Sequence, residues 1–457
     1  MEMQSSPVFL NPNKRLKEDF VSNLEGSSLL DVSALSTIFP LFIILRRSFL
    51  FNSDSNEGLG NFLHSITKEF MLTVIPSILL LTVLSSWIYP ASVLLMLLVF
   101  IVNRLYPSSK ASIPLRNYVA SYRAVLMILT SLCILAVDFK IFPRRFAKTE
   151  TYGSSFMDLG VGSFTFANAL VSRQARGFTH LSCKDTLRSS FPLLILGFAR
   201  LYSTTSVNYQ VHVGEYGVHW NFFFTLAAVS ILTSLLTVRA KYATVIGFLI
   251  LMGYQNWLVS GNNTYLLSQD RGDDIISKNK EGIFSILGYW GMYLIGTSLG
   301  NFLFFGKSRF PYSTKFRVWS ISLMFWLFTI TFDRYVERIS RRTCNVAYVC
   351  FVIAQNLQVK LIMWIGGVMV TNAQVLGVLM LSEFISGSKL LKIEEAFSAN
   401  LLGLFLLANV LTGVVNLSID TLFATSAVSF IVIVAYAAVL TLVASLAFYK
   451  RIALKFW

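Results

Sequence analysis

The chain has 457 residues, 55% of them hydrophobic and 14% aromatic, with only 13% charged and a mean hydropathy of +0.64. Soluble domains carry about 25% charged residues, so a soluble globular class is excluded and an all-α polytopic membrane bundle is expected. The formal net charge of +15 does not point to nucleic acid: the cations lie in short loops between apolar runs, as juxtamembrane anchors and anionic-lipid contacts do.

The first segment, MEMQSSPVFLNPNKRLKEDF, lacks the basic-then-apolar order of a cleaved signal. Residues 1–28 therefore read as a short polar segment ahead of one membrane domain that uses the whole chain, 1–457. The bundle is expected over 29–448 and a cytosolic tail over 449–457. A crossing helix needs about 20 mostly apolar residues. On that basis spans are expected near 29–45, 70–89, 90–105, 119–137, 156–171, 189–205, 220–238, 241–259, 282–305, 318–332, 345–370, 400–417 and 424–448, about thirteen in all. The first and 189–205 carry the weakest signal. The segment 374–386 is too short to cross and reads as interfacial.

An odd number of spans puts the termini on opposite sides. Loops on the C-terminal side hold the larger share of Lys and Arg, so the C-terminus is expected in the cytosol and the N-terminus in the lumen. The Asn262-Asn263-Thr264 sequon then falls on the lumenal side, where it could be glycosylated. The cysteines Cys133, Cys183, Cys344 and Cys350 form no C-x-x-C pair, and neither a disulfide framework nor a metal site is expected. Cys133, Cys344 and Cys350 are expected to pack in or near helices.

Between two apolar runs stands VDFKIFPRRFAKTETYGSSFMDLGVGSF, Val137 to Phe164. Its loop is expected on the lumenal side, yet holds Lys140, Arg144, Arg145 and Lys148, against the usual distribution of positive charge. Asp138 ends an apolar run, where partial desolvation raises a carboxylate's pKa and improves it as a proton acceptor. Pro143 argues against one continuous helix, and a turn there could fold Lys148 back towards Asp138. An ion pair is the plainer reading, since structural ion pairs also perturb pKa values. Adjacent Arg144 and Arg145 offer forks suited to phosphate. Asp158, just inside the next span, is an intramembrane ionisable residue and a candidate site residue on that ground. Gly160 and Gly162 beside it would admit a helix or a headgroup closely.

A second polar group is HVGEYGVHWNFFF, His212 to Phe224. Glu215 and His219 have helical spacing and could hydrogen-bond in a polar pocket, while Tyr216 and Trp220 suit an interface; an ordinary aromatic belt explains the stretch as well. H-E-x-x-H is absent, so zinc is disfavoured. His180 and Asp185, at H-x-x-x-x-D spacing, read as coincidence. Asn409, Thr412 and Asn416 in a late span either bond between helices or line a headgroup cavity. Asn221 joins Asn409 as a candidate substrate contact.

In order, VDFKIFPRRFAKTE, MDLGVGSF, EYGVHWNFF, KEGIFSILGYW and LFLLANVLTGVVN resemble the inositol acyltransferases of glycosylphosphatidylinositol-anchor synthesis. That family includes the fungal GPI-anchored wall transfer protein and its mammalian counterpart. KEDFVSNLEGSS, Lys17 to Ser28, resembles the family's N-terminal signature, so the resemblance covers about 17 to 422. It implies a multispan endoplasmic-reticulum enzyme that moves a fatty acyl chain, typically palmitoyl, from acyl-CoA to an inositol hydroxyl of glucosaminyl-phosphatidylinositol. It also implies that Asp138 and Lys148 carry catalysis. Lys140 departs from the family, where Pro is usual, which bears on loop rigidity.

With no G-x-S-x-G elbow and no readable Cys–His pair, direct transfer in a ternary complex is expected. Asp138 would act as base and Lys148 as oxyanion or headgroup contact. Arg144, Arg145, Asp158, Glu215 and His219 would hold substrate, with acyl-CoA as co-substrate, no bound cofactor and no obligate protein partner. The rival class is a multispan transporter or lipid flippase, which would lose transport, not acyl transfer, when Asp138 is changed.

Overall fold

The computed structural model describes residues 14–49, 58–105, 115–178, 183–206, 213–236, 238–305, 311–357, 359–365, 368–373 and 390–453. The helices run in the order α1 (Lys14–Phe20), α2 (Leu29–Phe49), α3 (Leu59–Leu81, with a π turn over Phe70–Val74), α4 (Ile88–Leu105), α5 (Leu115–Ala136), α6 (Phe156–Leu170) and α7 (Cys183–Ser206). They continue as α8 (Val213–Tyr216), α9 (Phe222–Leu235), α10 (Ala240–Trp257), α11 (Lys280–Gly300), α12 (Pro311–Tyr335) and α13 (Val346–Leu357). The last are α14 (Lys392–Ala399), α15 (Leu401–Ser418) and α16 (Ser426–Tyr449).

Eight of the described helices, α2 to α5, α10, α11, α15 and α16, are long and apolar enough to cross a membrane. The other expected spans hold α6, α7, α9, α12 and α13, which are shorter or more polar, so a count of thirteen crossings is not established. Two boundaries differ from expectation. The second crossing begins at Leu59, because a π turn carries the helix through Glu69 into the apolar run. The expected span 345–370 is instead α13 followed by two antiparallel strands, β1 (Val359–Ile365) and β2 (Val368–Ala373). Their β-branched Val359, Ile362, Ile365, Val368, Val370 and Thr371 favour extended backbone, a preference that hydropathy does not register. The expected interfacial segment 374–386 lies outside the described residues.

Every residue of α13 is buried; it is the axis around which α6, α11 and α12 pack. Polar contacts within this core fix the packing. Tyr122 on α5 donates to Asn356 at 2.6 Å, Asn356 donates to Ser163 on α6 at 2.8 Å, and Gln355 donates to Ser33 on α2 at 2.8 Å. Buried polar side chains paired in this way specify one arrangement of helices.

Helix α15 joins the two ends of the bundle. At its start Asn400 donates to the carbonyl of Ile452, beyond α16. Near its end Asn416 donates to Asp138, just past α5. At 1.5 Å per residue these contacts stand about 24 Å apart. The N-terminal segment, with Lys17 against Asn416, packs at the Asp138 end, so the first and last described residues sit at opposite ends of the bundle.

Candidate active site

The loop between α5 and α6 is folded by its own aromatic and basic residues. Phe139, Phe142 and Phe146 are fully buried, which pins three points of the loop to the core. Arg144 turns back and donates to the carbonyls of Val137 at 2.8 Å, Phe139 at 3.1 Å and Phe142 at 2.9 Å. Its guanidinium also lies 4.0 Å from the centre of the Phe20 ring. Pro143 opens a single 3₁₀ turn, Arg144–Phe146, so the chain reverses there as its sequence suggested.

A strap from the N-terminus closes over this loop. The amide of Ser27 donates to the Ser154 carbonyl at 2.7 Å, and that of Glu150 to the Leu24 carbonyl at 3.0 Å. The Asn23 amide donates to the Glu150 carboxylate at 2.6 Å. The strands of this contact meet at two glycines with positive φ, Gly26 at 86° and Gly153 at 120°. A Cβ on Gly153 would stand 2.1 Å from the Glu25 carbonyl oxygen, so only glycine fits there.

Asp138 and Lys148 both line one cavity of about 1430 Å³, together with Glu215, Asn221, Arg341 and Asn409. Asp138 accepts a 2.7 Å hydrogen bond from Asn416. Burial pushes its carboxyl up to about 6, against the opposing pull of Asn416, Lys17 and Arg144. Burial likewise lowers Arg144 to about 10, with Asp138 acting in the other direction. Lys148 donates to Glu215 at 2.6 Å, its side chain 36% exposed.

Glu215 also accepts from Arg341 at 3.3 Å, and Arg341 reaches Asp158 at 2.6 Å. Burial opposes the Glu215 carboxylate, but Lys148 and then Arg341 outweigh it and hold Glu215 down at about 2. Asp158 is fully buried; Thr149 and Ser155 each donate to it from the side chain at 2.8 Å. The chain of charges Lys148–Glu215–Arg341–Asp158 thus fixes the loop on α6 and presents Lys148 to the cavity. Chemically, the cavity offers a carboxyl that is ionised near neutral pH yet basic enough to take a proton, and a lysine of the same loop in its lining.

Five of the expected site residues, Asp138, Lys148, Glu215, Asn221 and Asn409, meet at this cavity. Asn221 also caps α9, accepting from Phe223 at 3.1 Å and donating to Gly197 on α7 at 2.9 Å. Asn409 donates back along its helix to Phe405. Four others are placed elsewhere. Arg144 spends its Nε and Nη2 donors on loop carbonyls, while its Nη1 is buried without a hydrogen-bond partner among the described residues. Arg145 is exposed and donates to Ser85 at 2.9 Å. Asp158 is an internal anchor held by Arg341.

His219 is exposed, its amide bonded to Asn279; the expected pairing with Glu215 does not form. Gly217, at φ 117°, ends the short helix after Tyr216, so the helical spacing does not apply. His212 and His180 lie outside the described residues. Asn262 donates to the Trp257 carbonyl at 2.8 Å, and its neighbour Asn263 reaches the Tyr152 hydroxyl at 3.5 Å, which puts the sequon at the same end of the bundle as the loop. Cys133, Cys344 and Cys350 are buried free thiols.

Two residues absent from the sequence-derived set belong to the site, Arg341 and Lys17; Asn416, read from sequence as an interhelical or cavity residue, is the hydrogen-bond partner of Asp138. The Arg341-Arg342 pair before a largely apolar helix was a visible signal, since Arg342 also pairs with a buried carboxylate, that of Glu281, at 2.9 Å.

A model of the GWT1 family matches residues 13–447. The chain belongs to the GWT1 family. Relatives include an uncharacterized protein of Arabidopsis thaliana, 52% identical, with 92% of this chain and 99% of the relative covered. A phosphatidylinositol-glycan biosynthesis class W protein of Dictyostelium discoideum is 33% identical over 96% of this chain and 98% of its own length. A mouse protein named glucosaminyl-phosphatidylinositol-acyltransferase is 32% identical, with 79% of each chain covered. The family model spans the strap, the α5–α6 loop and the late helices that form the cavity.

Proposed function

We propose that this member of the GWT1 family is a membrane O-acyltransferase that moves a fatty acyl chain, palmitoyl, from acyl-CoA to an inositol hydroxyl of glucosaminyl-phosphatidylinositol. The observation that carries the reading is the convergence of Asp138 and Lys148 on one cavity of about 1430 Å³, with Asp138 held near a pKa of 6. The mouse relative's name supports the acceptor and the reaction class.

In the reaction, Asp138 takes the proton of the inositol hydroxyl as its oxygen attacks the thioester carbonyl. Lys148 stabilises the oxyanion that develops. The attack forms the new C–O bond; collapse of the tetrahedral intermediate re-forms the carbonyl, breaks the C–S bond and expels CoA thiolate, to which Asp138 returns the proton. Glu215 keeps Lys148 in place, Arg341 holds Glu215, Asn416 orients the Asp138 carboxylate, and Asn221 and Asn409 offer polar contacts to the sugar. The protein acts in the endoplasmic-reticulum membrane, with its N-terminus and Asp138 towards the lumen and its C-terminus towards the cytosol. The larger share of Lys and Arg on the C-terminal side and the position of the Asn262 sequon beside Tyr152 support that orientation.

The test is transfer of labelled palmitate by the purified protein from palmitoyl-CoA to glucosaminyl-phosphatidylinositol. Asp138→Asn should lose roughly 10²–10⁴-fold, the usual contribution of a positioned base. Full activity in a folded Asp138→Asn variant would return the loop to a set of ion pairs. No transfer by wild type, with both substrates bound, would favour the transporter reading.

A further inference from the structure

The cavity has a second pole. Arg123, on α5, lines it, and at 1.5 Å per residue the helix places it about 21 Å from Val137, next to Asp138. The other walls run the same way. On α6 the lining extends from Phe156, beside the Lys148 loop, to Asn168. On α7 it extends from Arg200, close enough to act on Glu215, back to Ser189. On α15 it reaches Leu401, at the end opposite Asn416. The walls between are mostly apolar, with Leu126, Met127, Leu193, Leu196, Leu402 and Leu406, interrupted by Thr130, Ser163, Asn356 and Asn409.

A half-buried guanidinium at the end of a mostly apolar tunnel is costly without a counter-charge. Among the described residues Arg123 has no acidic partner; the charge that acts on it is that of Arg176, another cation. Arg173, Arg176 and Arg188, all exposed, stand at this same end, in and just beyond the connection from α6 to α7. The pole therefore suits a ligand with several negative charges joined to a long, mostly uncharged arm. Phosphate fits the guanidinium fork.

We infer that Arg123 binds the phosphates of the acyl-CoA donor, whose pantetheine arm runs through the cavity to bring the thioester to Asp138 and Lys148. The inference rests on the acyltransferase reading given above. It makes Arg123 a donor-binding residue at the face of the bundle opposite the acceptor headgroup.

The experiment compares two donors, palmitoyl-CoA and palmitoyl-pantetheine, which lacks the phosphates, with wild type, Arg123→Gln and Arg123→Lys. Loss of a charge-assisted hydrogen bond should raise the KM for palmitoyl-CoA roughly 10- to 100-fold in Arg123→Gln. The KM for palmitoyl-pantetheine and for the acceptor should not move, and Arg123→Lys should fall between wild type and Arg123→Gln. An unchanged KM for palmitoyl-CoA overturns the assignment. So does an equal rise for both donors, which would make Arg123 a packing residue, and the folded Arg123→Lys variant decides if Arg123→Gln does not fold. Wild type that uses neither donor defeats the acyltransferase reading itself, a result distinct from either failure.

Discussion

At the scale of single residues, Asp138 is a compromise between solvation and pairing. Burial raises its carboxyl, while Asn416, Lys17 and Arg144 restrain the rise to about 6. A base must be ionised before it can accept a proton, so transfer should fall as pH drops through about 6. Lys17 is one of the cations that favour the ionised form, and Lys17→Met should move this acid limb to higher pH. A pH profile of kcat/KM checks it; a limb that stays in place excludes Lys17 from the site's electrostatics. The stability sign is the reverse. Because the folded value lies above the ordinary carboxylate range, the fold is favoured by protonated Asp138, and that contribution is lost as pH rises through about 6. Asp138→Asn should therefore unfold no more easily than wild type at neutral pH while losing activity. Glu215 behaves oppositely. Held at about 2, it contributes stability above the ordinary carboxylate pKa, lost as pH falls towards 2.

Among the elements, α6 shows how two glycines of one motif divide their tasks. A Cβ on Gly162 would stand 2.4 Å from a Val352 methyl and 2.8 Å from the Tyr348 hydroxyl, whereas Gly160 has nothing within 4 Å and lines the cavity. Gly162→Ala should cost about 1–3 kcal/mol by overpacking the contact with α13, read by thermal unfolding in detergent. Gly160→Phe should leave unfolding unchanged yet obstruct the cavity and cut transfer roughly a hundredfold, as misplacement of reacting groups does. Equal effects on unfolding would refute this division. The MDLGVGSF stretch announced close approach in the sequence, but not which glycine met a helix and which met a ligand. The same limit explains the other differences. Asp138 and Lys148 stand out as charges within a short stretch of an apolar chain, and it is the family resemblance, not their spacing, that implies a catalytic role for them. Arg341 and Asn416 reach the site from far along the chain, and no local spacing records such pairing. Glu215 and His219 had helical spacing, and the left-handed backbone at Gly217 removed the helix that would have joined them. The helices of the bundle were visible as apolar runs, but hydropathy alone could not separate α13 and its following hairpin from one long span.

Across the whole molecule, the cavity extends along α5, α6, α7 and α15 for much of the about 30 Å hydrocarbon thickness of a bilayer. Its acid–base pole lies at the end of the N-terminal strap, and its cationic pole at the end where Asn400 holds the chain beyond α16. In the proposed orientation these are the lumenal and cytosolic faces. A polar donor and a polar acceptor headgroup can then meet at Asp138 without either crossing the bilayer, because the protein supplies the passage. Sealed microsomes should accordingly transfer palmitate from externally added palmitoyl-CoA as well before permeabilisation as after it. Gly160→Phe, obstructing the passage near its acid–base end, should cut transfer by the same roughly hundredfold under both conditions. Activity that emerges only on permeabilisation would place the donor site on the lumenal face and confine the Arg123 pole to holding helices together. Equal activity in intact and opened vesicles, combined with sensitivity to Arg123→Gln, is the result that a cavity with its charges at opposite ends requires.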